Sequence, residues 1–189
     1  MPDFTPGIGH NSGRVDEPGK SWRTHVWAKA RKQLMPTLPI EVVRRRVARA
    51  KELGLPYKTY AGLRASSGDD LIGFMFSNNA LDVLRRADKV AASKAAKIAA
   101  LKDARSIGLA QLPTTPDQLT PPLQTAHTAP MPLAPWVEKR AHLRDVFAQV
   151  GRPPSRFILI CDTAMEREWV EAGRMAGALP AQTFFEVTQ

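Results

Sequence analysis

The chain is poor in the residues that carry most recognisable chemistry. Of its 189 residues only one is cysteine, Cys161. That excludes an internal disulfide and a thiolate zinc centre, and makes a reducing compartment the natural expectation. The four histidines, His10, His25, His127 and His142, lack the spacing of a helical ligand pair, so no metal site is expected. No apolar run approaches the roughly 20 residues that cross a bilayer, so no membrane partner is expected. The opening MPDFTPGIGHNSG has neither a basic nor an apolar region of the secretory kind, and a cytoplasmic protein is expected. The glycines at 7, 9 and 13 are not followed by the lysine and hydroxyl of a phosphate loop, and no strand precedes them. With no complete catalytic signature and no cofactor motif, a non-enzymatic role is the leading expectation.

What the chain does have is positive charge in one place. Its net charge is +9, and residues 20–105 carry 19 Lys and Arg against 7 Asp and Glu. The residues on either side are slightly acidic. A segregated basic half points to a polyanionic partner, nucleic acid first and an acidic protein second.

Periodicity and punctuation divide the chain into four stretches. Residues 1–20, rich in glycine and proline, are expected to be a flexible arm. Residues 21–110 form a basic helical region with one strand. It holds a short amphipathic stretch at Trp22–Leu34 and a helix from Pro39 or Ile40 to Leu53. In that helix Ile40, Val43, Val47 and Ala50 make the apolar stripe, with Arg45, Arg46 and Arg49 on the other side. Gly54 is a suitable stop, and a third helix runs from Tyr57 to Arg64. Residues 71–76 read as a buried strand, followed by a long helix capped at Ser77, Asn78 or Asn79 and reaching Ile107. Residues 111–135 hold seven prolines and are expected to be a linker or surface loop. Residues 136–189 contain a helix over 136–150, a strand over 156–161, a helix over 163–178 and a last strand over 183–187. The expected fold is α/β: a basic helical N-terminal region with a small, mostly parallel, three-stranded sheet.

Two resemblances accompany this reading. The segment Gly7-Ile8-Gly9-His10-Asn11-Ser12-Gly13 resembles the N-termini of assorted small alphaproteobacterial and phage-like proteins, and implies no chemistry. The stretch from Ala50 through Gly54, Leu55, Pro56 and Tyr60 to Leu63 is similar to the helix-turn-helix pattern. Leu38-Pro39 and the helices that follow also resemble ribbon-helix-helix antitoxins. Both resemblances imply DNA binding of a regulatory kind, with Tyr57, Lys58 and Arg64 presented outward. Arg49 departs from the helix-turn-helix pattern, which prefers an apolar residue there.

Two candidate sites follow. The first is a nucleic-acid surface of Arg44, Arg45, Arg46, Arg49, Lys51, Tyr57, Lys58 and Arg64, where neutralised phosphates would release counterions. The same charges also suit an ordinary solvated helix face, or a docking face for an acidic partner protein. The second lies at strand carboxyl ends, where open parallel sheets seat their ligands. There Ser77 and Asn78 would meet Asp162 and Thr163 at two helix N-termini, a place for an anion or small molecule. At that site Asp162 would serve as acid, base or ion ligand, and Ser77 or Cys161 as a nucleophile. Plain helix capping is the simpler explanation of those residue types. The acidic run Glu166, Glu168 and Glu171 places no paired carboxylates in an evident cleft, and Glu168 and Glu171, on one helical face, are expected to be solvated.

Overall fold

The computed structural model describes residues 38–186, so the expected arm and the Trp22–Leu34 helix lie outside the described residues. Among the described residues, 41–186 belong to one compact unit. The elements are α1 (Ile40–Glu52), α2 (Tyr57–Ser67), β1 (Gly73–Ser77), α3 (Ala92–Ala99), β2 (Arg105–Ala110) and β3 (Thr125–Thr128). They continue with α4 (Trp136–Val150), β4 (Phe157–Cys161), α5 (Ala164–Gly173), β5 (Gly177–Pro180) and α6 (Ala181–Glu186). All five strands are parallel, in the order β3-β2-β1-β4-β5.

β1 and β4 are short, wholly apolar apart from Ser77, and buried along their length, as strands covered on both faces must be. Their side chains alternate between two cores. Phe74, Phe76, Ile158 and Ile160 face Ala50, Tyr60, Ile98 and Phe184 of α1, α2, α3 and α6, and Leu53 of the turn after α1. Met75, Phe157 and Leu159 face Leu143, Phe147 and Trp169 of α4 and α5. The sheet is therefore the middle layer of three. From β1 the chain steps to β2 and β3 with connections on the first face. It then returns past β1 to β4 and β5 with helices on the second. Reversing direction and face together is what right-handed crossovers require.

Five strands stand where three were expected. The expected long helix over 77–107 is interrupted by a loop, a short α3 and the strand β2. Side chains in the loop offer its backbone better partners than a helix would. The Ser77 hydroxyl accepts from the Ala80 amide at 3.1 Å, and Asp88 accepts from the Leu84 and Arg85 amides at 2.9 and 2.8 Å. Asn78 donates to the Val83 carbonyl at 2.9 Å and accepts from the Gln111 amide at 2.9 Å.

The proline-rich segment supplies β3 at the sheet edge, since its prolines flank Thr125–Thr128 without entering it. Leu119 and Leu123, from the same segment, are buried in the first core. After α5 the chain does not continue as helix to 178. Arg174 ends the helix in the left-handed region, and Gly177–Pro180 pairs with β4. Residues 181–186 are helical rather than extended. Among the described residues no helix is long and apolar enough to cross a membrane.

Candidate nucleic-acid interface

α1 turns a different side inward from the one its apolar periodicity indicates. Ile40 is 66% exposed and Val47 46% exposed, while Ala50 is buried. Arg46 and Arg49 lie half-buried along the inward line, with Val42 and Val43. Arginine tolerates this position because its stem packs like a hydrocarbon while its head reaches polar partners. Arg49 has found three. It donates to Glu52 at 2.9 Å, to the Leu71 carbonyl at 3.1 Å and to the Asp103 carbonyl at 3.1 Å. Those carbonyls precede β1 and β2, so Arg49 clamps α1 to the amino edge of the sheet.

Gly54 turns the chain between α1 and α2 with φ of 63°, the left-handed conformation that glycine adopts without penalty. α2 then packs Tyr60 into the first core. The Tyr60 hydroxyl donates to Asp70 at 2.6 Å, and Arg64 pairs with the same carboxylate at 2.9 Å. Partial burial pushes the Asp70 carboxyl up, but the Tyr60 hydroxyl, the Arg64 guanidinium and the Leu71 amide outweigh it and hold it below the ordinary range.

Between the two helices lies a pocket of about 220 Å³ lined by Val42, Arg45, Arg46, Arg49, Tyr60, Arg64 and Asp70. Four cations thus face one carboxylate. Arg45 is exposed with no partner among the described residues. The buried Nε of Arg46 meets no acceptor among the described residues. A buried donor without a protein acceptor is uncommon, and this one is left to meet water or the oxygen of a bound group.

The remaining predicted surface residues do not join the pocket. Arg44 pairs with Glu41 at 2.9 Å, both 70% exposed. Lys51, Tyr57 and Lys58 lie exposed near the turn. The face is therefore a basic concavity rather than the flat recognition helix that a helix-turn-helix implies, because α2 spends Tyr60 and Leu63 on the sheet.

The second candidate site sits where the topology reverses, between β1 and β4, at their carboxyl ends. Here Asn79 donates to Glu166 at 3.0 Å and to Gln111 at 3.3 Å. Glu166 is fully buried, and its other oxygen accepts from the Asp162 and Thr163 amides at 2.9 and 3.0 Å. Thr163 and Glu166 form a reciprocal capping box. The free amides that could attract an anion are thus taken by the protein's own carboxylate, and no helix begins directly after β1.

Ser77 and Asn78 are spent on the loop, as described above, and Asp162 alone of the four points outward as an exposed group. Cys161 is buried, and burial, together with Glu166, pushes its thiol up, away from the reactive thiolate. Sequence reasoning missed the roles of Glu166 and Gln111. The Thr163-to-Glu166 spacing was the available signal for the first. Nothing local marks the second, whose place depends on β2.

Among the described residues no group of three or more His, Cys, Asp or Glu is placed to hold a metal. No family model matches the chain, and neither a curated protein nor a solved structure matches it.

Proposed function

We propose that the protein binds nucleic acid through its phosphate backbone, using the basic pocket between α1 and α2. The observation that carries this reading is the convergence of Arg45, Arg46, Arg49 and Arg64 on a concavity holding the single carboxylate of Asp70. Arginine forks match phosphate oxygens, and a walled site screens charge less than open surface does. Arg49 and Arg64 are held in place by their own partners, so two of the four charges are positioned before any ligand arrives. Arg45 and Arg46 supply the unspent donors. Contacts of this kind position a backbone and read no sequence, so the expected binding is tolerant of sequence.

The test is binding of labelled duplex and single strand across a salt titration, with wild type, Arg45→Glu and Arg46→Gln. Wild type should lose affinity steeply as salt rises, since each neutralised phosphate releases counterions. Arg45→Glu should weaken binding by about tenfold or more while the melting temperature stays nearly constant, because an exposed unpaired arginine holds nothing in the fold. Failure of wild type to bind at low salt would overturn the reading. The carboxyl ends of β1 and β4, where Asp162 is exposed, would then be the place to seek a small-molecule ligand.

A further inference from the structure

A second basic concavity lies on the opposite face of the sheet. It encloses about 400 Å³ between α4 and α5, with Phe147, Ala148, Pro154, Ala172 and Gly173 forming its apolar floor. Its rim carries Arg140, Arg144, Arg152 and Arg174, all exposed. Arg144 pairs with Asp145 at 3.1 Å. The other three have no side-chain partner among the described residues. No carboxylate lines the pocket.

Arg174 adds an independent observation. It ends α5 with φ of 57° and ψ of 39°, in the left-handed region. The same place after α2 and α4 is taken by Gly68 and Gly151, at φ of 75° and 67°. Glycine is the unstrained residue there, and a long cationic side chain in its stead carries a local backbone cost. What the arginine does provide is a guanidinium at the pocket rim.

The two pockets are neighbours around one edge. Asp70 of the first pocket immediately precedes the approach to β1, and Pro154 of the second lies just before β4. β1 and β4 are adjacent strands, so their amino ends stand about 5 Å apart. Between them Ser155 donates to Asp69, and Arg156 approaches Asp69 at 3.8 Å. Arg156 thus stands on the line from one pocket to the other, its buried Nε ion-paired with Asp69 but making no hydrogen bond among the described residues.

We infer that the pocket between α4 and α5 is a second phosphate seat, and that one single strand of nucleic acid crosses the amino edge of the sheet to occupy both. This rests on the nucleic-acid reading of the first pocket. A single strand is the occupant because the seats lie on opposite faces, and the path between them turns over the edge. Duplex DNA is stiff over about 150 base pairs and cannot make that turn, whereas a single strand follows it freely. A duplex reaches one seat at a time.

The experiment uses the full chain, a labelled mixed-sequence single strand and the corresponding duplex, titrated with salt. The variants are Arg174→Gly and Arg152→Gln. Arg174→Gly relieves the left-handed strain, so its melting temperature should equal or exceed that of wild type. Its single-strand affinity should nonetheless fall several-fold, and its salt slope should drop by about 0.7 for each phosphate left without its arginine. Arg152→Gln should show the same loss, and duplex affinity should change little in either variant. A wild-type single-strand slope in both variants, with Arg45→Glu still impaired, would overturn the second seat and leave the first pocket standing. Equal losses for duplex and single strand would overturn the path over the edge. No binding by wild type would end both readings together.

Discussion

Arg49 shows how a single side chain can look like a ligand contact and act as a fastener. Its guanidinium joins α1, the approach to β1 and the turn before β2 through three charge-assisted bonds. Bonds of this kind to charged groups contribute about 1.5–3 kcal/mol when neither partner has an alternative. Water competes here, because the side chain is 19% exposed. Arg49→Met should therefore destabilise the fold by about 1–2 kcal/mol in denaturant unfolding, as the lower end of that range. A change under a few tenths would show that water replaces the guanidinium without cost. Arg45, one turn back and unpartnered, should cost nothing on the same scale. The distinction was not legible in the sequence, where both are arginines of one basic run. It depends on two carbonyls contributed by residues 71 and 103.

At the scale of elements, the sequence was most readable where a segment's own pattern decides its state. α1, α2, α4 and β4 appear within a few residues of their expected bounds, and Gly54 turns the chain where it should. Legibility failed where a distant partner decides. β5, Gly-Ala-Leu-Pro, has almost no intrinsic strand preference and is extended because Ile158–Cys161 offers it a ladder. β2 was hidden behind an alanine-rich run that favours helix by propensity. The inward arginines of α1 misled a reading based on apolar periodicity alone, because a stem-buried arginine counts there as polar.

One small residue does carry a checkable packing constraint. A Cβ on Gly73 would stand 2.5 Å from the Arg105 carbonyl oxygen. Gly73→Ala should therefore destabilise by about 1–3 kcal/mol, since backbone must move to admit the methyl group. Unfolding by urea measures this directly. A stability equal to wild type would mean that β1 and β2 can separate there without loss.

For the molecule as a whole, His127 and Asp70 tie stability to pH on the acid side. Burial pushes the His127 imidazole below its usual value, and repulsion from His142 adds to that, against a bond with Gln149. The unfolded chain then takes up the proton first, so stability falls as pH drops below about 6.5. Asp70 is held low, so its contribution persists at neutral pH and is lost only as pH falls through its folded value, below the usual 3.8. Melting temperature should thus decline in two stages on acidification. His127→Gln should flatten the first stage and Asp70→Asn the second. A single stage unaffected by either variant would place the acid sensitivity elsewhere.

The strand order also sets a schedule for synthesis. β1 gains one neighbour soon after it is made, when β2 follows. Its other neighbour, β4, places Ile158 beside Phe74 and so emerges only after β3 and α4 have been made. Until then a nascent chain holds β1 with one row of amides and carbonyls unpaired and its phenylalanines half-covered. The ribosome, or whatever shields the chain as it leaves, must protect that raw edge through the translation of some half of the sheet. A ribosome paused in the proline-rich stretch would prolong that exposure most.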